Sequence, residues 1–132
     1  MSARARRGGR RRDDSGAGSL EMVLIFPALL VLILAIVQFG LWYEAEHAAI
    51  AAAQEGAQAA RLYGSSATAG ETAASGFLHQ AAPTLIVRPA VRVTRSATSA
   101  HASVTGFVES LVPGLHFHVS ATSSAPVEAF QP

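Results

Sequence analysis

The stretch Met22–Tyr43, MVLIFPALLVLILAIVQFGLWY, decides the fold of this protein. It contains 22 residues without a charge, and Gln38 is its one strongly polar side chain. A helix of that length reaches roughly 33 Å at about 1.5 Å per residue, enough to cross a bilayer core of about 30 Å. A buried helix of a soluble protein is the alternative, but the remaining chain is too short to enclose one. We therefore predict a transmembrane helix over residues 17–43.

A cleavable signal peptide is a second alternative for this stretch. Its apolar run would normally be only about 7–15 residues long. The small-residue site that could be cut, Ala49-Ile50-Ala51, lies deep in what reads as continuous helix. The sequence therefore favours a helix that stays in the protein.

The charges on either side of the span predict its orientation. The chain has ten Arg and Lys residues together, nine acidic residues and a net charge of +1. Residues 1–14 carry six Arg and two Asp, whereas residues 17–132 carry four Arg and seven Glu. The positive-inside rule places the basic leader, residues 1–16, in the cytoplasm and residues from about 44 onward outside. Trp42 and Tyr43 stand at the outer end, where aromatic rings favour the headgroup layer. We expect a single-pass protein of the cell membrane.

Composition excludes several classes of function. A chain of 132 residues without cysteine has no disulfide scaffold, no thiol nucleophile and no cysteine-based metal site. Because the basic residues belong to a short tail, we expect contact with anionic lipid headgroups and no nucleic-acid partner.

The segment before the span reads GAGSLE over residues 16–21. Gly16 and Gly18 disfavour helix, so we expect an extended leader that a protease can reach. Ser19 is then the predicted helix cap, and Glu21 lies in the first turn, where a carboxylate interacts favourably with the helix dipole.

Residues 44–62 are rich in alanine and predict that the membrane helix continues outside to about Leu62, within an extension over 44–64 that Gly64-Ser65-Ser66 ends. Small residues recur every four positions, which allows another backbone to approach closely. We expect one such stripe to pack on the protein's own sheet. The packing residues are Ala45, Ala49, Ala53 and Ala57 on one stripe, and Ala48, Ala52, Gly56 and Ala60 on the other.

Residues 65–132 predict a small extracytoplasmic α+β domain. A weaker helix over 68–82, capped near Thr68 or Ala69, precedes three alternating stretches. These are 84–95, with an irregularity at Pro89 that suggests an edge strand, then 98–105 and 115–128. The stretch between the last two holds a short helix or a turn. The predicted fold is α+β: a long N-terminal transmembrane helix that continues outside, a short helix and a three-stranded antiparallel sheet.

Several short motifs resemble the TadE-like family of tight-adherence pilus assembly proteins, which are pilin-like. They are Gly18-Ser19-Leu20-Glu21 leading into Phe26-Pro27, Gln38-Phe39-Gly40, the stretch QEGAQAAR over 54–61, and Leu111-Val112-Pro113-Gly114-Leu115. Gly16 with Glu21 after it also resembles the prepilin-peptidase site of type IV pilins and pseudopilins. That resemblance implies a cut between Gly16 and Ala17 on the cytoplasmic face, with Glu21 as the fifth mature residue.

The resemblance also implies a role and partners. A carboxylate at Glu21 would pair with the new N-terminal ammonium, its own or a neighbour's. Gln38 stands where many members have Glu, and Met22 stands where major pilins often have Tyr. The second departure favours an assembly protein or minor pseudopilin over the abundant fibre subunit. The implied partners are the membrane, prepilin peptidase, other pilus-assembly proteins and homologous pseudopilins.

No motif predicts catalysis, a cofactor or a metal. His116 and His118 would share one face of a strand, but a metal site needs a third ligand, for which His101 or His79 would have to come close. Ser110 has no nucleophile elbow around it. Two other hypotheses stay open: an unprocessed signal-anchored envelope protein whose outer domain binds a partner, and a metal-dependent exported enzyme.

Overall fold

The computed structural model describes residues 15–131. The chain forms two compact units, one up to Ile33 and the other from Leu34 onward. The described part of the first unit is helical throughout. Five elements follow one another along the chain, and they confirm the predicted α+β fold. They are α1 (Ser15–Arg61), α2 (Ala67–Ala81), β1 (Ile86–Arg95), β2 (Ser99–Val108) and β3 (Phe117–Pro126).

Helix α1 begins earlier than predicted. Its first residue is Ser15, so Gly16 and Gly18 are helical, and Ser19 lies inside the helix instead of capping it. The Ser19 hydroxyl donates a hydrogen bond to the Gly16 carbonyl at 3.0 Å. Glu21 accordingly lies beyond the first turn, which contains no acidic residue. The extended leader was therefore wrong for residues 15–18, because two glycines weaken a helix locally while a long helix, once nucleated, extends one hydrogen bond at a time.

The end of α1 and the start of α2 follow from the turn between them. Helix α1 ends at Arg61, and Gly64 has a φ of 72°, a left-handed conformation that glycine adopts without a steric penalty. Ser66 caps α2, since its side chain accepts a hydrogen bond from the Ala69 N–H at 3.1 Å. The predicted cap at Thr68 or Ala69 was thus two or three residues late. Pro83 follows the end of α2, as expected.

The sheet has the strand order β1-β2-β3, and both pairings are antiparallel. Strand β1 is an edge strand, and its register shifts between Val87 and Ala90. Arg88 in this bulge has a φ of 52°, and Pro89 follows it. The irregularity predicted at Pro89 is therefore confirmed. The stretch between β2 and β3, residues 109–116, forms a loop and not a helix.

The core of the second unit lies between the alanine-rich part of α1, helix α2 and one face of the sheet. Strand β2 alternates strictly, with Ala100, Ala102 and Val104 buried and His101 exposed between them. Val104 and Val119 are the largest fully buried side chains. Because most core side chains are small, the helices lie close to each other and to the sheet.

Candidate functional site

The predicted processing residues lie at the start of helix α1. The backbones of Gly16 and Ala17 are helical, and Gly16, Gly18 and Glu21 are exposed. A methyl group added at Gly16 or Gly18 would meet no other atom of the described chain within 4 Å. No packing requirement within residues 15–131 therefore explains a glycine at position 16. The basic residues before Ser15 lie outside the described part of the chain.

The apolar part of α1 leaves its large side chains uncovered. None of the most apolar 18-residue window of the helix is buried within the chain, although the helix is long and apolar enough to cross a membrane. Phe26, Leu29 and Ile33 are examples of large apolar side chains that are about half exposed or more. A core helix of a soluble protein would bury such side chains. The helix therefore has the properties of a single-pass membrane anchor.

Gln38 joins the C-terminal part of this apolar stretch to the loop between β2 and β3. Its side chain is only 3% exposed and is the one buried polar residue of the described chain. The Gln38 Nε2 donates to the Glu109 carbonyl at 3.3 Å, and the Gln38 Oε1 accepts from the Leu111 N–H at 2.8 Å. Both ends of the amide are thereby paired, which removes the cost of a polar side chain among apolar neighbours.

The two aromatic residues at the end of the stretch have different surroundings. Trp42 is half-buried, and its Nε1 donates to the His118 carbonyl at 3.4 Å. Tyr43 is exposed, and its ring lies edge-on to His47 with centroids 4.4 Å apart. Trp42 thus contacts the sheet, whereas Tyr43 faces away from it. An interface role for both remains a prediction.

The small residues of the extension lie in the core. At Gly56 an added methyl would approach the Ala74 Cβ to 3.1 Å and the Gly70 carbonyl to 3.2 Å. At Gly70 it would come within 2.6 Å of the Gly56 carbonyl and 2.9 Å of the Ala60 Cβ. Helices α1 and α2 therefore cross where neither has a side chain. Buried residues come from both predicted stripes: Ala45, Ala49, Ala53, Ala57, Ala52, Gly56 and Ala60.

Polar side chains bind the C-terminal end of the extension. Arg95 Nε donates to the Ala60 carbonyl at 2.7 Å, and its guanidinium also reaches the Leu62 carbonyl at 3.4 Å. Arg61 forms an ion pair of 3.1 Å with Glu128. Arginine at a helix C-terminus satisfies carbonyls that lack intrahelical donors. The sequence offered no spacing that would have revealed these pairs, since each joins residues more than 30 positions apart.

The two histidines that were predicted to lie together have different surroundings. His118 is on the exposed face of β3, edge-on to Phe107 with centroids 5.6 Å apart, while His116 lies in the loop before the strand. They therefore do not share a strand face as predicted, because β3 begins only at Phe117. Within residues 15–131, no group of three or more His, Asp or Glu side chains is placed to hold a metal ion.

Comparison with protein families identifies the N-terminal part of the chain. The family model described as TadE-like protein matches residues 16–58, about a third of the chain. The resemblance drawn from the sequence motifs is therefore confirmed over this segment. Comparison with curated proteins and with solved structures finds no match.

Proposed function

We propose that this protein is a non-enzymatic minor pseudopilin that acts in the assembly of a tight-adherence pilus. The observation that carries the proposal is the TadE-like match, which begins at Gly16, the residue after which we expect the leader to be cut. The same match covers the apolar stretch and most of the extension. The exposed start of α1 is consistent with access by prepilin peptidase.

The proposed topology places residues 1–16 in the cytoplasm and the sheet outside the cell membrane. Six Arg residues precede the span, and the first charged residues after it are Glu44 and Glu46. After cleavage, Glu21 would lie one helical turn from the new ammonium of Ala17, near enough for an ion pair with its own chain or with a homologous pseudopilin.

Intact mass and N-terminal sequence of the protein from native membranes test the processing. We expect the loss of residues 1–16, roughly 1.8 kDa, with Ala17 as the first residue. Gly16→Val should block the cut, and Gly18→Val is the matched control because both positions are equally free of contacts. A full-length wild-type chain would support the unprocessed signal-anchored protein instead. A chain that begins near residue 50 would mean an exported soluble domain.

Labelling of an introduced cysteine tests the orientation. The chain has no cysteine of its own, so Ser124→Cys on the exposed face of β3 gives a single reactive site. We expect a membrane-impermeant maleimide to label this variant in intact spheroplasts as completely as in lysed ones. Labelling after lysis alone would reverse the proposed topology.

Glu21 has a separate test. Glu21→Gln should leave processing and membrane insertion unchanged but reduce the recovery of the protein with pilus components at least several-fold, whereas Glu21→Asp should retain part of it. Equal recovery of the wild type and Glu21→Gln would remove the proposed ion pair with the N-terminus.

A further inference from the structure

The loop between β2 and β3 is hydrogen-bonded to α1 at Gln38, which lies N-terminal to Trp42 and Tyr43. Gln38, which binds the loop backbone at Glu109 and Leu111, precedes Tyr43 by five residues. Five residues of helix correspond to about 7.5 Å along its axis. The loop backbone therefore lies about 7.5 Å deeper than Tyr43 along the helix.

The side chains of this loop suit a lipid environment. Residues 110–115, SLVPGL, carry no charge. Leu111 is 46% exposed and Leu115 is 48% exposed, so both present apolar surface outward. Phe107, at the end of β2 before the loop, is also exposed. Glu109 and His116 lie on either side of the apolar segment, and both are exposed.

Several backbone groups of the loop have hydrogen-bond partners within the chain. The Glu109 N–H donates to the Leu85 carbonyl at 3.1 Å, and the Leu115 N–H donates to the Val112 carbonyl at 3.3 Å. Ser110 Oγ accepts from the Val112 N–H at 3.2 Å and donates to the Val112 carbonyl at 2.8 Å. The Leu111 N–H donates to the Gln38 Oε1, and Pro113 has no N–H. Such pairing is needed where water is scarce, because an unpaired backbone group in lipid is costly.

We propose that the segment Ser110–Leu115 is a second membrane contact, which inserts Leu111 and Leu115 into the leaflet from which α1 emerges. The occupant of this surface is lipid, because the loop is bonded to Gln38, whose helix neighbours Val37 and Phe39 are apolar and exposed, and because residues 110–115 carry no charge. Gln38 is a positioning residue that holds the loop at this depth. The inference rests on the membrane anchoring in the proposed function, but it requires neither leader cleavage nor a particular orientation.

Depth-dependent fluorescence quenching on the full-length protein in phosphatidylcholine vesicles tests this contact. Single cysteines at Leu111, Leu115 and, as a control on the exposed face of β3, Thr122 carry an environment-sensitive label in turn. Lipids with a quencher on the acyl chain report immersion, and iodide reports exposure to water. Trp42 is the only tryptophan, and its own quenching reports whether α1 has inserted.

We expect acyl-chain quenching at Leu111 and Leu115 at least threefold stronger than at Thr122, with iodide quenching correspondingly weaker. Gln38→Leu should lower the lipid quenching at Leu111 at least twofold while Trp42 stays quenched.

Equal quenching at Leu111 and Thr122, with Trp42 immersed, would overturn the inference and leave the anchor intact. Labels protected from lipid and iodide alike would assign the loop to contact with another protein copy, which also contradicts it. If Trp42 itself is not quenched, the membrane anchor fails and this inference fails with it.

Discussion

Two stretches of helix α1 differ in what they expose and bury: the first exposes large apolar side chains, and the second buries small ones. Residues 20–33 leave large apolar side chains exposed, Leu24 and Phe26 among them, each by about two thirds of its surface. Residues 45–60 bury alanines completely, such as Ala49 and Ala53, at 0% exposure. The contrast indicates that lipid surrounds the first stretch, whereas the second stretch packs tightly on the protein's own sheet.

Side-chain size along this helix therefore reports the surroundings better than apolarity does. Large side chains fill space between lipid tails at no cost. Alanine contributes little buried area, but it allows the backbone of the extension to approach helix α2 and the sheet closely enough to pack without voids. Each of the following experiments changes one side of this contrast.

Charge in the first stretch should have the largest effect. The double substitution Leu29→Arg with Leu32→Arg is expected to raise the free energy of membrane insertion by about 5 to 7 kcal/mol, from about 2.5 to 3.5 kcal/mol per arginine near the helix centre. A quantitative insertion assay measures it, with Leu29→Ile plus Leu32→Ile as the control. Unimpaired insertion of the arginine variant would contradict a lipid environment for this stretch.

Added side-chain volume in helix α2, where it packs on the second stretch, should have the next largest effect. Gly70→Ala places a methyl group 2.6 Å from the Gly56 carbonyl and 2.9 Å from the Val93 Cγ1, so it should lower the free energy of unfolding by about 3 kcal/mol. Gly76→Ala in the same helix meets nothing within 4 Å and should raise it by about 0.5 to 1 kcal/mol. Chemical denaturation of the full chain in mild detergent measures both. The close crossing of α1 and α2 is refuted if the two variants shift stability alike.

Gln38 lies between the two stretches and should give a smaller change. Gln38→Leu leaves the Leu111 N–H and the Glu109 carbonyl without their partner, which should cost about 2 kcal/mol of unfolding free energy in the same assay. Gln38→Glu keeps an acceptor for Leu111 but turns a carboxylate oxygen towards the Glu109 carbonyl in a buried site, so its loss should be at least as large as that of Gln38→Leu. Wild-type stability of Gln38→Leu would show that the loop is held by other contacts.

The hydrogen bonds of Arg95 and the ion pair of Arg61 at the C-terminal end of the extension should give the smallest effects on stability. Arg95→Gln removes the hydrogen bonds to the Ala60 and Leu62 carbonyls and should cost about 1 kcal/mol. Glu128→Gln breaks the exposed ion pair with Arg61 and should cost less than about 0.5 kcal/mol. A larger loss from the Glu128 variant than from the Arg95 variant would mean that the ion pair, not the capping arginine, fastens the helix end.

Periodicity and turn residues predicted the elements, but not the contacts between them. The alternation of β2, the edge position of β1 and the irregularity at Pro89 could all be read from the chain, because each depends on residues close in sequence. The cap of α1 was placed at Ser19, four residues after the first helical residue, because local glycine propensity was given more weight than helix propagation. The strand start at Phe117 was missed because Leu115 and His116 continue the alternating pattern without pairing.

The candidate site was only partly predictable for a related reason. Gln38 stood out as a lone polar residue in an apolar stretch, yet its partners at Glu109 and Leu111 are more than 70 positions away. The same holds for Arg95 and the end of α1. Hydrogen bonds between residues so far apart produce no regular spacing in the sequence, so only the structure reveals them.

The long separation between Gln38 and its partners also sets an order of events during biosynthesis. Glu109 is 71 residues further along the chain. At a translation rate of about 5 to 20 residues per second, it is made about 4 to 14 s after Gln38. The nascent span therefore leaves the ribosome with an unpaired amide near one end. Glu109 and Leu111, the partners of the Gln38 amide, are made only after β1 and β2 have been synthesised. The amide therefore stays without these hydrogen bonds until the loop after β2 has been made.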